Sequence, residues 1–94
     1  MSRAKSVLVD DMEHCVVCGK DMINIHHIYP GIANRKISDA DGYVIPLCHE
    51  HHTGRYGIHF DKDLDTQWRQ IAQKHFEQTH TRKEFIKRYG MSYL

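Results

Sequence analysis

Two short pairs of metal-binding residues constrain this chain more than anything else: Cys15-x-x-Cys18 and Cys48-x-x-His51. Structural zinc takes four Cys/His ligands in a tetrahedron, commonly as two local pairs that the fold brings together. An ordinary buried cysteine, or a redox dithiol, would not explain why the third cysteine also carries a histidine three residues on. Gly19, directly after the second cysteine, permits the tight turn that aims two sulfurs at one ion. A polypeptide with this pattern is expected to be a small fold stapled by a Cys3His zinc site made of Cys15, Cys18, Cys48 and His51.

Size agrees with that need. Ninety-four residues bury only a modest share of their surface, so a staple is expected. Three cysteines cannot all pair as disulfides. No run resembles a signal peptide or the ~20 apolar residues of a membrane span. These features predict a single soluble domain over residues 1–94 in a reducing cytoplasm, with a core at about 13–60 and a helical part at about 61–90. The net charge of +1 says little about partners. Its distribution says more: residues 66–94 hold six Lys/Arg against Glu77 and Glu84. Such a face can attract a phosphate backbone, or it is simply a solvated helix surface.

Local patterns give an α+β outline. Val7-Leu8-Val9 reads as a short strand or a lead-in, and residues 15–20 as a knuckle. Residues 22–29 are rich in β-branched and aromatic side chains and read as a strand ended by Pro30-Gly31. Residues 31–42 read as a loop carrying Arg35 and Lys36, closed by the Asp41-Gly42 turn signal. A second strand is expected at 43–47, with Pro46 at an edge or near its end, and a helix from Cys48, weakened by Gly54 and Gly57. Leu64, Trp68, Ile71, Ala72, His75 and Phe76 share one helical face. Thr81 to Glu84 fits a capping box that opens a last helix, with Phe85, Ile86 and Tyr89 inward and Gly90 as its stop.

Nine histidines are many for this length, and clustered histidine is a metal signal. His26, His27 and His52 remain once the zinc set is complete. Adjacent residues on a strand point to opposite faces, so His26 and His27 are not expected to share one ion. One would be a ligand, and the other, titrating near neutrality, a general base. His52 sits roughly 100° around a helix from His51 and can face a different ion.

The combination of Cys15-x-x-Cys18, Ile25-His26-His27-Ile28-Tyr29-Pro30 and Leu47-Cys48-x-x-His51-His52 resembles the zinc-bearing HNH endonucleases of the ββα-metal fold. The likeness spans about residues 15–59. It implies an α+β ββα-metal core with C-terminal helices, hydrolysing DNA phosphodiesters with a single divalent ion (Mg²⁺, Mn²⁺, Ni²⁺ or Zn²⁺). By resemblance, His26 and His52 take metal-ligand positions and His27 the general-base position. Tyr43 stands near the place of the family's base-orienting Asn, which leaves the alignment of the base open. His59 would be a further metal ligand or a phosphate contact. Arg35 or Arg55 would neutralise phosphate, unless each is a plain surface arginine. The Ile58-His59 ending and the helical tail resemble small phage-encoded HNH proteins, including recombination-associated nucleases that act with RecA. That narrower likeness implies a recombinase partner and the cytoplasm of a phage host.

His14, His49, His75 and His80 carry no such signal. Trp68 and Phe76 read as core residues, and Tyr29, Tyr43 and Tyr56 as packing beside the histidines. Two rivals stay open. A non-catalytic zinc-stabilised module that binds nucleic acid or protein would need the sulfur set but not His26, His27 and His52 together. An inactive HNH descendant is hinted at by Tyr43.

Overall fold

A computed structural model describes residues 5–55 and 57–94; Tyr56 lies outside the described residues. Strand β1 (Asn24–His27) pairs antiparallel with β2 (Val44–Leu47) in a two-stranded sheet. The register sets His26 opposite Ile45 and His27 opposite Val44. Every residue of β2 is buried, so this hydrophobic run is covered on both of its faces. Pro46 lies within β2, and its carbonyl accepts the Val16 N–H at 3.0 Å, which ties the cysteine knuckle to the sheet. Val7, Leu8 and Val9 form no strand. Instead the Val7 N–H donates to the Gly42 carbonyl at 3.0 Å.

Residues 31–42 are not a loop. Helix α1 (Ile32–Asp41) occupies them, starting after Gly31 and ending at Gly42 in the left-handed region, φ 79°. Pro30-Gly31 opens a helix here rather than only closing a strand, and Gly42 caps it as the residue past a helix end often does. The helix is polar and leaves Ile32 exposed, so no apolar period marks it. Its fully buried member is Ser38. That hydroxyl donates to the Tyr43 carbonyl at 2.6 Å, while the Ser38 carbonyl accepts the Tyr43 N–H at 2.8 Å. A single serine thus seats α1 against the entry to β2.

The expected helix after Cys48 is one short turn, α2 (His49–His52). Gly54 and Gly57 follow its end and let the chain fold back onto it. A Cβ at Gly57 would lie 2.7 Å from the His52 carbonyl oxygen. Helix α3 (Lys62–Phe76) starts at Asp61, whose carboxylate accepts the Leu64 N–H at 3.1 Å. Helix α4 (Arg82–Tyr89) has the complete Thr81/Glu84 capping box and a left-handed Gly90.

The faces of these helices differ from their sequence pattern in two places. Ile71 and Ile86 are exposed at 44% and 41%, while Gln73 is fully buried. The reason is residues 91–94, which fold back across α3. The Tyr93 N–H donates to Gln73 Oε1 at 2.8 Å, and Gln73 Nε2 donates to Ser92 Oγ at 2.9 Å and to Glu77 at 2.7 Å. A buried amide with its donors and acceptor met costs little.

Tyr29 is fully buried at the centre of the aromatic core. Its ring meets Tyr89 at 4.3 Å and Phe85 and Tyr93 at 5.5 Å. Asp41 makes the main polar link between α1 and α4. It accepts two hydrogen bonds from Arg88, at 2.7 and 2.6 Å, and one from the Tyr89 hydroxyl at 2.6 Å. Burial alone would raise the Asp41 pKa, but these donors overcome it and hold the carboxyl below 3.8. A carboxylate with a lowered folded pKa stabilises fully above its unfolded value and loses that contribution as pH falls through the folded one. Asp41→Asn is therefore expected to cost about 1–2 kcal/mol near neutral pH, after allowance for solvent at Arg88. The difference in melting temperature from the parent should shrink below about pH 4; an equal difference at pH 3 and pH 7 would contradict this.

Candidate metal centres and active-site cleft

The knuckle gathers four ligand atoms from three segments. Cys15 and Cys18 come from the N-terminal turn, Cys48 from the cap of α2, and His51 from α2 itself. Cys18 Sγ lies 3.6 Å from Cys48 Sγ, and His51 Nδ1 lies 3.2 Å from Cys48 Sγ and 3.8 Å from Cys15 Sγ. Tetrahedral zinc with Zn–S of ~2.3 Å sets sulfurs ~3.8 Å apart and an imidazole nitrogen ~3.5 Å from each sulfur. The observed spacings fit that tetrahedron. The cysteines are unpaired by disulfides. Burial would raise the Cys15 thiol, yet the N–H groups of Cys48, Cys18 and Val17 bring it down to about 6. A thiolate stabilised by N–H donors is the form that binds a metal.

A second set lies beside the first. His26 from β1, His52 from α2 and His59 from the returning loop hold their ligand nitrogens within 4.8 Å of one another. Ring centroids are 5.3 Å apart for His26–His52, 5.3 Å for His26–His59 and 4.8 Å for His52–His59. The loop reaches this position because the Ile58 N–H donates to the His51 carbonyl at 2.8 Å, beside the close approach of Gly57. Among the described residues, His26 Nε2 and His52 Nδ1 are buried with no hydrogen-bond partner. Leaving such a group unmet costs about 1–3 kcal/mol, and an ion accepting both lone pairs would remove that cost. Burial, reinforced by the neighbouring imidazoles, lowers the His26 pKa to about 3. Burial likewise lowers that of His52. Both rings are therefore neutral near pH 7, as ligation requires.

These rings open into a cleft of about 490 Å³, also lined by His27, Arg35, Asp65 and Arg69. His27 is separated from the trio by the strand's alternation and turns toward α1, with Nε2 3.6 Å from Asp39 Oδ1. At that distance Asp39 is an electrostatic neighbour rather than a hydrogen-bond partner. Burial and then Arg35 lower the His27 pKa, and Asp39 opposes them.

The structure therefore brings together His26, His52 and His59, and sets His27 and Arg35 on the wall of the same cleft. Arg55 is exposed on the turn after α2. Tyr43 is not brought to His27: its ring is buried against Tyr29, and its hydroxyl lies 3.1 Å from His75 Nδ1. Burial pushes the Tyr43 phenol up to about 12, so it stays neutral in the core. The motif position lies at the mouth of β2, where the side chain belongs to the packed face. Asp39, Asp65 and Arg69 were missed in the sequence. The first lies on a polar helix that no apolar period announces, and the other two lie on a helix beyond the motif. Their available signal was the i, i+4 spacing of Asp65 and Arg69.

Two antiparallel strands and a following short helix, carrying a Cys3His set and a histidine set side by side, define a small α+β fold of the ββα-metal class. The model of a family described as "Putative HNHc nuclease" matches residues 2–87, and the chain belongs to that HNH nuclease family. Membership makes nucleic acid the substrate class. No curated protein and no solved structure matches the chain. Among the described residues no helix is long and apolar enough to cross a membrane.

Elemental analysis of the purified protein should find two bound ions per chain. Gly57→Ala, by forcing the loop away from the His52 carbonyl, should release the histidine-held ion and spare the sulfur-held one. Retention of both ions would show that His59 is not brought in by this close approach.

Proposed function

We propose that the chain is a metal-dependent DNA endonuclease acting as one domain, with His27 as general base. The observation that carries this reading is the pair of buried, unpartnered imidazole nitrogens on His26 and His52, facing a cleft whose wall bears another histidine. A zinc module that served only as a staple would have no use for them. In this reading Cys15, Cys18, Cys48 and His51 hold a structural zinc, and His26, His52 and His59 hold the catalytic divalent ion. That ion would supply Lewis-acid stabilisation of the charge growing on a phosphate oxygen and on the departing 3′ oxygen.

The remaining work falls to the chain. The Asp39 carboxylate beside Nε2 favours a proton on that nitrogen and leaves Nδ1 of His27 as the acceptor. His27 takes a proton from the attacking water, the new P–O bond forms, and the P–O3′ bond breaks; the departing 3′ oxygen takes a proton from solvent water, leaving a 5′ phosphate and a 3′ hydroxyl. Arg35 on α1 lines the cleft and in this reading neutralises a non-bridging phosphate oxygen. In this reading Asp39 acts on the base through its charge alone.

Plasmid nicking in Mg²⁺, Mn²⁺ or Ni²⁺ tests the proposal. His27→Ala should slow cutting about 10²- to 10⁴-fold, the usual contribution of a general base, with ion content unchanged. Equal cutting by parent and variant, or none by the parent in any of those metals, would leave a nucleic-acid- or protein-binding module as the better reading.

A further inference from the structure

Arg69 stands apart from the residues already assigned. It belongs to α3, outside every segment that supplies a ligand to either set, yet it lines the histidine cleft together with Asp65. Its guanidinium is held on two sides. Asp65, one turn earlier, accepts from Nε at 3.1 Å and pairs with Nη2 at 2.9 Å. The Tyr93 ring lies 5.2 Å from the guanidinium carbon. The backbone is fixed as well, because the Arg69 carbonyl accepts the Tyr29 hydroxyl at 2.6 Å.

The pair with Asp65 is half-buried and two-pronged, which accounts for a fixed guanidinium but not for its facing this cleft. The arrangement suits anion recognition better. Guanidinium has five N–H donors in a rigid fork. Asp65 takes two on one edge, and a fork fixed in this way loses little freedom when the other donors meet a phosphate.

We propose that Arg69 is a phosphate-binding residue of the cleft, contacting the nucleic-acid backbone beside the scissile position, with Asp65 as its positioning residue. The inference rests on the nuclease reading for its location. Arg35 would then grip the backbone from α1 and Arg69 from α3, so a segment outside the ββα core takes part in holding substrate.

The test uses the full chain carrying His27→Ala, so that duplex DNA is bound without being cut. Kd is measured across a range of salt, with and without Arg69→Ala. Loss of one phosphate contact should make the slope of log K against log salt shallower by about 0.9. In the chain with His27 intact, Arg69→Ala should lower kcat/KM for nicking at least about tenfold, while metal content stays at the parent level. Asp65→Asn keeps the cation and should retain the slope, but should lower kcat with little change in KM. This second variant carries the test if Arg69→Ala lowers the melting temperature. An unchanged slope with unchanged nicking in Arg69→Ala, or parent-like kcat in Asp65→Asn, would overturn the assignment. Failure of the nuclease reading looks different: the parent would not nick, whatever the salt comparison gave.

Discussion

The position of Tyr29 determines how the rest of the molecule can be arranged. It follows the His26-His27 pair by only two residues, and its ring is the centre around which Tyr43, Phe85, Tyr89 and Tyr93 pack. Its hydroxyl ends on the Arg69 carbonyl. A large aromatic side chain contributes much of the apolar burial available to a chain of this size. Here that burial also fixes the strand end that carries the site, so the histidines inherit their direction from the core.

The two ligand sets depend on this frame differently. The sulfur set is made of local pairs, and the Pro46 carbonyl attaches its knuckle to the sheet. The histidine set draws one residue each from a strand, a short helix and a loop. Its geometry is therefore sensitive to every joint between those parts, above all to the absence of a side chain at Gly57. Without ions the fold would also carry unmet buried nitrogens. Binding to the folded state alone would then stabilise the chain by mass action.

Much of this was legible from residue spacing. The Cys-x-x-Cys and Cys-x-x-His pairs are local, so their shared role could be read without tertiary knowledge, and the same holds for the Thr81/Glu84 cap. His59 was legible only as a candidate, since nothing in the sequence states how closely a loop returns. Helix α1 was hidden because its face is polar and its one fully buried residue is a serine. Tyr43 was legible as a packing residue, while its motif position left a base-orienting role open; the start of β2 turns that ring to the aromatic side. Asp39, Asp65 and Arg69 reach the cleft only through packing between elements. Gln73 likewise owes its burial to a C-terminal segment that no periodicity announces.

His51 and His52 are neighbours on one turn of helix, and each faces a different ligand set. The angular offset between adjacent helical residues, about 100°, sends the two side chains to separate ligand sets. Neither centre can be re-aimed alone through α2: rotating that helix to improve one would swing the other off its partners. Insertions between Cys48 and His52 should accordingly be forbidden in a working protein, whereas the span between Gly54 and His59 is the place where the second centre could be retuned without loosening the first.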